Sequence, residues 1–295
     1  MIYDVTHLTR YRYGAPVAVN DCVLHLHPRD EPGQSVSDYR LTAKPTPRDW
    51  REQRDGFANR VARMRIETPH TELSLKSKFR VLVERPAPPN PVTTPPWGEI
   101  AALAAATQSL NPDSPAFALY PSRIVTLFPD ATAYARVSFA PERPIYEAAA
   151  DLNQRIKTDF AYDAEATDVR TPPAEAFKRQ RGVCQDFAHV MIAGLRGLGL
   201  PALYVSGYIR TIPPPGKPRL AGADASHAWV AVWCGPEFGW LGLDPTNDIP
   251  EGEDHIVLAR GRDYADVPPV DGLILSYGGH ELEVSVDVAP VAAKT

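Results

Sequence analysis

The sequence predicts an α+β fold in which an N-terminal antiparallel β domain precedes a region of helices followed by strands. Two observations support this prediction. Runs with a period of two residues fill positions 1–83, and the later helical runs come before further strands instead of alternating with them. A chain of 295 residues that is 44% hydrophobic has enough apolar material for one large domain or two smaller ones.

The N-terminal domain is predicted from alternating polar and apolar residues in runs such as "YDVTHLTRYRY", "CVLHLH" and "LSLKSKFRVLVE". Breaks rich in Pro, Gly and Asp separate these runs, a pattern typical of antiparallel strands with one solvated face. The proline-dense stretch "ERPAPPNPVTTPPW" suits neither a helix nor a central strand and is predicted to be a linker. We therefore predict an N-terminal β domain at 1–90, a core with its preceding linker and helices at 91–290, and a tail at 291–295.

The core is predicted to begin with helices and to continue with strands. "GEIAALAAAT" and "PIYEAAADLNQRIKTDF" indicate helices, the second with Pro144 in its first turn, and "PPAEAFKRQ" indicates a third with Thr171 as its N-cap. Beyond Pro201, "ALYVSGYIR", "HAWVAVW", "GWLGLD" and "HELEVSVDV" indicate strands. The prolines of "IPPPGKP" at 212–218 predict an exposed loop.

Charge and cysteine content narrow the classes of function. A net charge of -5 and a pI near 5.9 argue against nucleic acid or an anionic membrane as a partner. The N-terminal residues lack the apolar core of a signal peptide, and no stretch has the roughly 18 apolar residues of a membrane span. We therefore expect a cytoplasmic protein. Cys22, Cys184 and Cys234 are widely spaced and include no CxxC pair, which favours reduced thiols over disulfides or a zinc site.

Cys184 is the first candidate for chemistry because it lies at the predicted start of a helix in "RGVCQDFAHVMIAGLRGLGLP". The buried stripe of this helix is predicted at steps of three and four residues: Phe187, Met191, Leu195 and Leu198. Free N–H groups and the helix dipole at this end favour a thiolate and could stabilise an oxyanion. The alternative is a small buried apolar residue, the usual role of a free cysteine.

His227 and Asp244 are candidate partners of Cys184 because "SHAWVAVW" and "GWLGLD" indicate the two strands of a hairpin. A four-residue loop at 234–237 pairs Trp233 with Phe238. That register places His227 directly opposite Asp244, with both side chains on one face of the sheet. A shift of one residue would place the two side chains on opposite faces.

Other histidines offer alternative sites. His255 is an alternative base, but no carboxylate is predicted opposite it. His25 and His27 lie on one strand face and could form half of a metal site, but no third ligand lies nearby, so no metal is predicted. Asp186 is predicted to be a capping or buried structural carboxylate, with substrate binding as the alternative, and His189 is predicted to be structural.

Three blocks of the sequence resemble the signature blocks of the bacterial transglutaminase-like cysteine enzymes, a branch of the papain-like superfamily: "GVCQDFAHVMIAGLRGLGLPALYVSGY", "ASHAWVAVW" and "GWLGLDPTND". The runs "YDVTHLTRYRYGAPV" and "LHLHPRD" resemble the N-terminal β domain of this branch, and "GRDYADVPPVDG" resembles its C-terminal block. The resemblance implies a papain-like transglutaminase core, in which a helix bearing the cysteine packs on an antiparallel sheet bearing the histidine and the aspartate. By this resemblance, Cys184 is the nucleophile, His227 the general base and acid, and Asp244 the residue that orients the imidazole. No cofactor is implied.

These residue types predict that a cysteine thiolate attacks an amide carbonyl and forms a thioester. Water would resolve the thioester in a peptidase or amidase, whereas a lysine amine would form a crosslink. Animal transglutaminases have a tryptophan after the cysteine, where this chain has Gln185, and they carry calcium-binding and β-sandwich domains without counterpart here. Hydrolysis of a protein or peptide is therefore expected. The alternatives are protein crosslinking, ATP-independent ligation and a non-catalytic interaction module on the same fold.

Four residues are predicted to contact the substrate. Gln185 follows the nucleophile directly. Tyr204, Ser206 and Tyr208 share one face of a predicted strand and line the cleft if that strand neighbours the hairpin.

Overall fold

The computed structural model describes residues 1–211 and 225–291. The predicted loop at 212–218 and residues 292–295 of the predicted tail lie outside the described residues. The strands, in chain order, are β1 (Ile2–Val17), β2 (Val19–Leu24), β3 (Gln34–Lys44), β4 (Asp49–Arg54), β5 (Arg60–Ile66), β6 (His70–Val83), β7 (Ala161–Tyr162), β8 (Arg181–Gly182), β9 (Ala202–Ile209), β10 (Ala225–Trp233), β11 (Trp240–Asp244), β12 (Ile249–Pro250), β13 (His255–Gly261), β14 (Val270–Leu275) and β15 (His280–Pro290). The helices are α1 (Trp97–Ala105), α2 (Pro129–Arg136), α3 (Ile145–Asp159), α4 (Pro173–Arg179) and α5 (Cys184–Gly197).

The fold is α+β, as the sequence predicts, and its first six strands form most of two four-stranded antiparallel sheets. One sheet has the order β15-β1-β6-β3 and the other the order β14-β2-β5-β4. Apolar side chains from both sheets meet in one core, among them Leu24 and Met64 from one sheet and Leu73 and Leu75 from the other. From Leu73 to Val83 every second residue of β6 is buried, and this alternation shows why the sequence forms a strand with one solvated face.

The last two strands join these N-terminal sheets, although the sequence places residues up to 290 in the core. β15 pairs antiparallel with β1 from Tyr3 opposite Pro290 to Tyr13 opposite His280, and β14 pairs with β2. Alternation of polar and apolar residues predicts that a strand forms but carries no information about a partner so distant in the chain. The N-terminal domain is therefore completed by the C-terminal segment.

The core consists of α5 packed against a five-stranded antiparallel sheet with the order β12-β11-β10-β9-β13. Phe187, Met191 and Leu195 of the predicted stripe are buried, and all the remaining residues from Gln185 to Arg196 are buried as well. Helices α2, α3 and α4 cover the sides of α5 that face away from the sheet. The helix is therefore enclosed on all sides, which explains why Ala188, Ile192 and Gly194, outside the predicted stripe, are also small or apolar. Among the described helices, none has the length and apolar character needed to cross a lipid bilayer.

Gly207 allows the central strands to approach closely, and replacing it with alanine should destabilise the fold by about 3 kcal/mol. It lies on β9 between His227 of β10 and Val257 of β13. An added Cβ would overlap the carbonyl oxygen of Ile256 and lie 2.5 Å from Cη2 of Trp229. A backbone carbonyl in a central strand cannot move aside as a flexible side chain can, so the sheet itself would have to distort.

Urea unfolding of Gly207→Ala measures this cost. Gly56→Ala is the matched control, because an added Cβ there meets no atom within 4 Å, and its free energy of unfolding should stay within about 0.5 kcal/mol of the native value. Equal stability of the two variants would show that the sheet tolerates a side chain at position 207.

Candidate active site

The turn that precedes α5 places Cys184 at the first position of the helix. The carboxylate of Asp186 folds back over this turn and accepts hydrogen bonds from the N–H of Val183 (2.8 Å) and the hydroxyl of Thr167 (2.7 Å). Gly182 lies directly against that carboxylate, where any Cβ would collide with it. Asp186 thus holds the turn into the helix, which is the capping role predicted for it.

Two backbone N–H groups at this end of α5 have no hydrogen-bond partner in the described part of the chain. The N–H groups of Asp186 and Phe187 donate to the carbonyl oxygen of Val183, but those of Cys184 and Gln185 make no such bond. Free N–H groups of this kind are expected at a helix N-terminus and attract negative charge. Both lie in the first turn of the helix, next to the thiol.

His227 and Asp244 are joined by a hydrogen bond of 2.8 Å between Nε2 and Oδ2. Both side chains are buried. Because Nε2 is engaged by Asp244, Nδ1 is the ring nitrogen left to face Cys184, which lines the same cavity and whose side chain helps to raise the pKa of the imidazole. The structure therefore brings together the three residues that the sequence predicts to be catalytic.

The hairpin that carries this pair has a register two residues away from the predicted one. Trp233 pairs with Trp240 rather than with Phe238. The loop is longer than predicted and spans 234–239. Its first N–H donates to its last carbonyl (2.8 Å), and its last residue is a glycine with φ +64°. A shift of two residues keeps each side chain on its face, so the histidine and the aspartate still project from the same side.

Asp244 accepts hydrogen bonds at both carboxylate oxygens. Oδ1 accepts from the backbone N–H groups of Thr246 (2.9 Å) and Asn247 (3.2 Å). Oδ2 accepts from the side-chain amide of Asn247 (2.7 Å) in addition to His227. The short turn after β11 thus supplies several donors from neighbouring residues. The sequence analysis does not identify Asn247, although its place three residues after an aspartate in a turn is typical of such local bonds.

His255 also contacts Asp244, although no carboxylate is predicted beside it. Its Nε2 lies 3.4 Å from Oδ2 of Asp244, and its Nδ1 accepts a hydrogen bond of 3.1 Å from the N–H of Gly252. Because Nδ1 accepts, Nε2 is the ring nitrogen that carries a proton, and it directs that proton at the carboxylate. The contact joins β11 and β13, which are not adjacent in the sheet, so a register argument could not predict it.

Burial and hydrogen bonding together set the charges of the pair. Burial alone would lower the pKa of His227, but hydrogen bonds to Asp244 and Cys184, together with their charges, raise it to about 10. Burial would raise the pKa of Asp244, but its hydrogen bonds to His227, His255 and Asn247 hold that pKa well below its usual range. At neutral pH the imidazole is therefore protonated and the carboxylate ionised.

A cavity of about 270 Å³ opens beside Cys184 and His227. On the side of the core it is lined by Val183, Gln185, Tyr204, Ser206, Ser226, Ala228 and Tyr264. On the other side it is lined by His7, Thr9 and Tyr11 of β1, by Leu282 and Val284 of β15, and by Pro269 and Val270. The N-terminal sheets and the core therefore share the site.

Three of the four predicted substrate contacts, Gln185, Tyr204 and Ser206, line this cavity, but Tyr208 does not. Tyr208 is fully buried, and its hydroxyl lies 2.6 Å from Nδ1 of His7. Alternation along β9 puts Tyr208 on the same face as the other two strand residues, but β1 covers that end of the strand. The sequence analysis misses the residues of β1, although His7 is an unexpected polar residue on its buried face.

Two groups of histidines offer atoms of the kind that bind metals. In one group, a side-chain nitrogen or oxygen from each of His227, Asp244 and His255 lies within 4.8 Å of the other two. Among the described residues, this is the group whose atoms are close enough to share a metal ion. Hydrogen bonds account for the arrangement, so we assign no metal to it. His25 and His27 each direct Nδ1 to a backbone carbonyl oxygen, that of Pro268 and that of Pro28.

Iodoacetamide should alkylate Cys184 selectively at neutral pH. Its side chain is partly exposed, whereas Cys22 and Cys234 are buried. Burial raises the pKa of both buried thiols, that of Cys22 to about 12, and thiols react as thiolates. Mass spectrometry of peptides after brief exposure should find the label on Cys184, and Cys184→Ser should lose the fast-reacting fraction. Equal labelling of the three cysteines would show that Cys184 is passive.

A cysteine at the start of a buried helix, facing an antiparallel sheet with a hydrogen-bonded histidine and aspartate, defines a cysteine-dependent enzyme fold of the papain-like class. Residues 3–82 match the bacterial transglutaminase-like N-terminal region, and residues 132–245 match the transglutaminase-like superfamily. An uncharacterised protein of Mycobacterium tuberculosis is 42% identical over 98% of this chain and 92% of its own length. The chain belongs to the transglutaminase-like superfamily and carries its bacterial N-terminal region.

Two further similarities concern the fold and part of the core. A Cytophaga hutchinsonii protein that has been proposed to be a cysteine protease has the same fold, with a TM-score of 0.72 at 19% identity over 100% of this chain and 92% of that structure. A Pseudomonas aeruginosa protein named protein-glutamine gamma-glutamyltransferase is 35% identical over 40% of this chain and 19% of its own length.

Proposed function

We propose that this protein is a cysteine-dependent hydrolase that cleaves an amide bond of a protein or peptide through a thioester intermediate, and that it acts in the cytoplasm. The observation that carries the proposal is the position of His227, which is hydrogen-bonded to Asp244 and borders the same cavity as Cys184, whose thiol helps to raise the pKa of the imidazole. An imidazolium held between a carboxylate and a thiol favours the thiolate as its partner.

The first half of the reaction forms the thioester. The Cys184 thiolate attacks the amide carbon, and the carbonyl electron pair moves to oxygen. When the tetrahedral intermediate collapses, the C–N bond breaks and the imidazolium of His227 gives its proton to the leaving nitrogen. The free N–H groups of Cys184 and Gln185 are the proposed donors to the oxyanion, since they lie beside the thiol without another partner in the described chain.

The second half of the reaction restores the thiol. His227, now neutral, removes a proton from water, and the hydroxide adds to the thioester carbon. The C–S bond then breaks, the carboxylic acid product leaves, and the thiolate and imidazolium form again. Asp244 keeps the imidazole in the required orientation throughout, because the turn at 245–247 and His255 fix its carboxylate.

Water is the proposed acyl acceptor. Cys184 is partly exposed, so water reaches the thioester, and the described residues that line the cavity include no carboxylate to hold a lysine ammonium. The similarity to a protein-glutamine gamma-glutamyltransferase over 40% of the chain favours amine transfer as the second candidate. The two reactions share the thioester and differ only in the group that resolves it.

Mass spectrometry of a glutamine-containing peptide library separates the two outcomes. After incubation with the protein and excess cadaverine, hydrolysis leaves a carboxylic acid or shortened peptides, whereas transfer leaves a cadaverine adduct. Cys184→Ser should produce neither. A dominant adduct would make the protein an acyltransferase to amines. Products that persist in Cys184→Ser would contradict the thioester mechanism, and an inert native protein whose Cys184 also fails to alkylate would favour the interaction module.

A further inference from the structure

A chain of hydrogen bonds leads from the core sheet to the cavity wall formed by β1. The Tyr208 hydroxyl lies 2.6 Å from Nδ1 of His7, and Nε2 of His7 lies 2.9 Å from Oγ1 of Thr9. Tyr208 is 0% exposed, His7 1% and Thr9 2%. His7 and Thr9 border the cavity beside Cys184, whereas Tyr208 lies behind them. The three side chains form one connected unit that spans the two domains.

The Tyr208 hydroxyl determines which group donates in each of these two hydrogen bonds. A buried hydroxyl donates its proton to a partner wherever it can, and Nδ1 of His7 is the partner of Tyr208 in the described chain. Nδ1 therefore accepts. Burial lowers the pKa of His7 to about 4, so the imidazole is neutral at physiological pH and its one proton lies on Nε2.

The same argument determines where the proton of the Thr9 hydroxyl can point. Since Nε2–H of His7 donates to Oγ1 of Thr9, the Thr9 proton has to point elsewhere. Within the described ranges Thr9 makes no other side-chain hydrogen bond, and its side chain borders the cavity. The result is a buried donor without an acceptor at the wall of the site, a costly arrangement that a bound acceptor would relieve.

We propose that the Thr9 hydroxyl binds a carbonyl oxygen of the peptide substrate, so that the N-terminal domain contributes directly to substrate recognition. This inference rests on the proposed function, because it assigns a contact in the cavity of the same cysteine site. The ligand atom is an uncharged carbonyl oxygen rather than a carboxylate. His7 is neutral, and the described lining of the cavity includes no lysine or arginine to balance a negative charge.

Two thiol reagents test the inference without knowledge of the natural substrate. Acetyl-Ala-Ala chloromethyl ketone carries carbonyl oxygens along an extended backbone, and Cys184 Sγ displaces its chloride. Methyl methanethiosulfonate has no carbonyl group and reports on the thiol alone. In Thr9→Val we expect the concentration of chloromethyl ketone for half-maximal inactivation to rise by about fivefold to tenfold, as for one lost neutral hydrogen bond. The maximal inactivation rate and the methanethiosulfonate rate should stay unchanged.

Thr6→Val is the matched control, because Thr6 lies on the same strand but on its opposite face. It should leave both reagents unaffected. Thr9→Ser, which keeps the hydroxyl, should recover most of the lost affinity. A native protein that is inactivated normally, together with Thr9→Val that matches it, would overturn the inference and leave the proposed function intact. A native Cys184 inert to both reagents would overturn the proposed function and this inference with it.

Tyr208→Phe provides a second, independent variant. Without the tyrosine proton, His7 is free to accept from Thr9 instead of donating to it, and the donor at the cavity wall is partly lost. The affinity should fall although position 208 does not contact the ligand. The double variant Thr9→Val with Tyr208→Phe should lose no more affinity than Thr9→Val alone, because both changes remove the same bond. Additive losses would show that the three residues do not act as a unit.

Discussion

Replacing His227 with alanine should lower the rate of amide cleavage by about 10² to 10⁴-fold, the range typical for loss of a general acid and base. In the proposed mechanism, the imidazole donates a proton to the leaving nitrogen and later removes one from water. The proposed mechanism also gives His227 the role of stabilising the Cys184 thiolate, so alkylation of Cys184 by iodoacetamide at pH 7 should slow in the same variant.

The fold should survive this substitution because Asp244 keeps most of its donors. Two backbone N–H groups, the Asn247 amide and His255 remain on its carboxylate. Thermal unfolding of the variant, measured beside the native protein, separates loss of chemistry from loss of structure. A folded His227→Ala protein that retains both cleavage and fast alkylation would show that another base, with His255 the first to examine, activates the thiol.

The cleavage rate should fall as the pH rises through about 10, and Asp244→Asn should move this fall to lower pH. In the proposed reaction the leaving nitrogen takes its proton from the His227 imidazolium, whose pKa is raised to about 10 by hydrogen bonds and charges that include those of Asp244. An asparagine removes the negative charge but keeps the size of the side chain, so the imidazolium loses its proton more easily. The measurement is the pH dependence of kcat/KM for the native protein and the variant.

The same groups predict how stability depends on pH. The pKa of His227 is higher in the folded protein than its ordinary value of 6.5, so its contribution to stability is complete below pH 6.5 and is lost as the pH rises through about 10. The pKa of Asp244 is lower than its ordinary value of 3.8, so its contribution is present above that value and is lost as the pH falls further. Urea unfolding between pH 2 and pH 10.5 should give a broad maximum, and Asp244→Asn should lose most stability at that maximum and less on either side of it.

The candidate site follows from the sequence better than its surroundings do. A helix start at Cys184 and two strands around a short loop are local features, and local patterns predict them. The predicted register was wrong by two residues, yet His227 and Asp244 remained together because an even shift preserves the face of every side chain. The error came from loop length, which depends on whether Gly239 adopts a left-handed conformation.

Long-range partners were beyond the reach of sequence patterns. Nothing local indicates that β15 pairs with β1, or that His255 reaches the carboxylate of Asp244 from a strand that is not adjacent. The sequence predicts that Tyr208 lines the cleft because it shares a strand face with Tyr204. In the structure, β1 covers Tyr208, and its hydroxyl forms a hydrogen bond with His7 instead. These contacts depend on how separate elements pack, and the periodicity within one element carries no information about that packing.

The pairing of the last strand with the first has a consequence for the order of events during synthesis. A ribosome completes α5, β10 and β11 well before it reaches residues 280–290, so the thiol, the imidazole and the carboxylate can assemble while β15 is still missing. Among the residues that line the cavity, Leu282 and Val284 are the last to leave the ribosome. A nascent chain can therefore hold the three candidate catalytic side chains before residues 282–284 complete the wall of the cavity beside them.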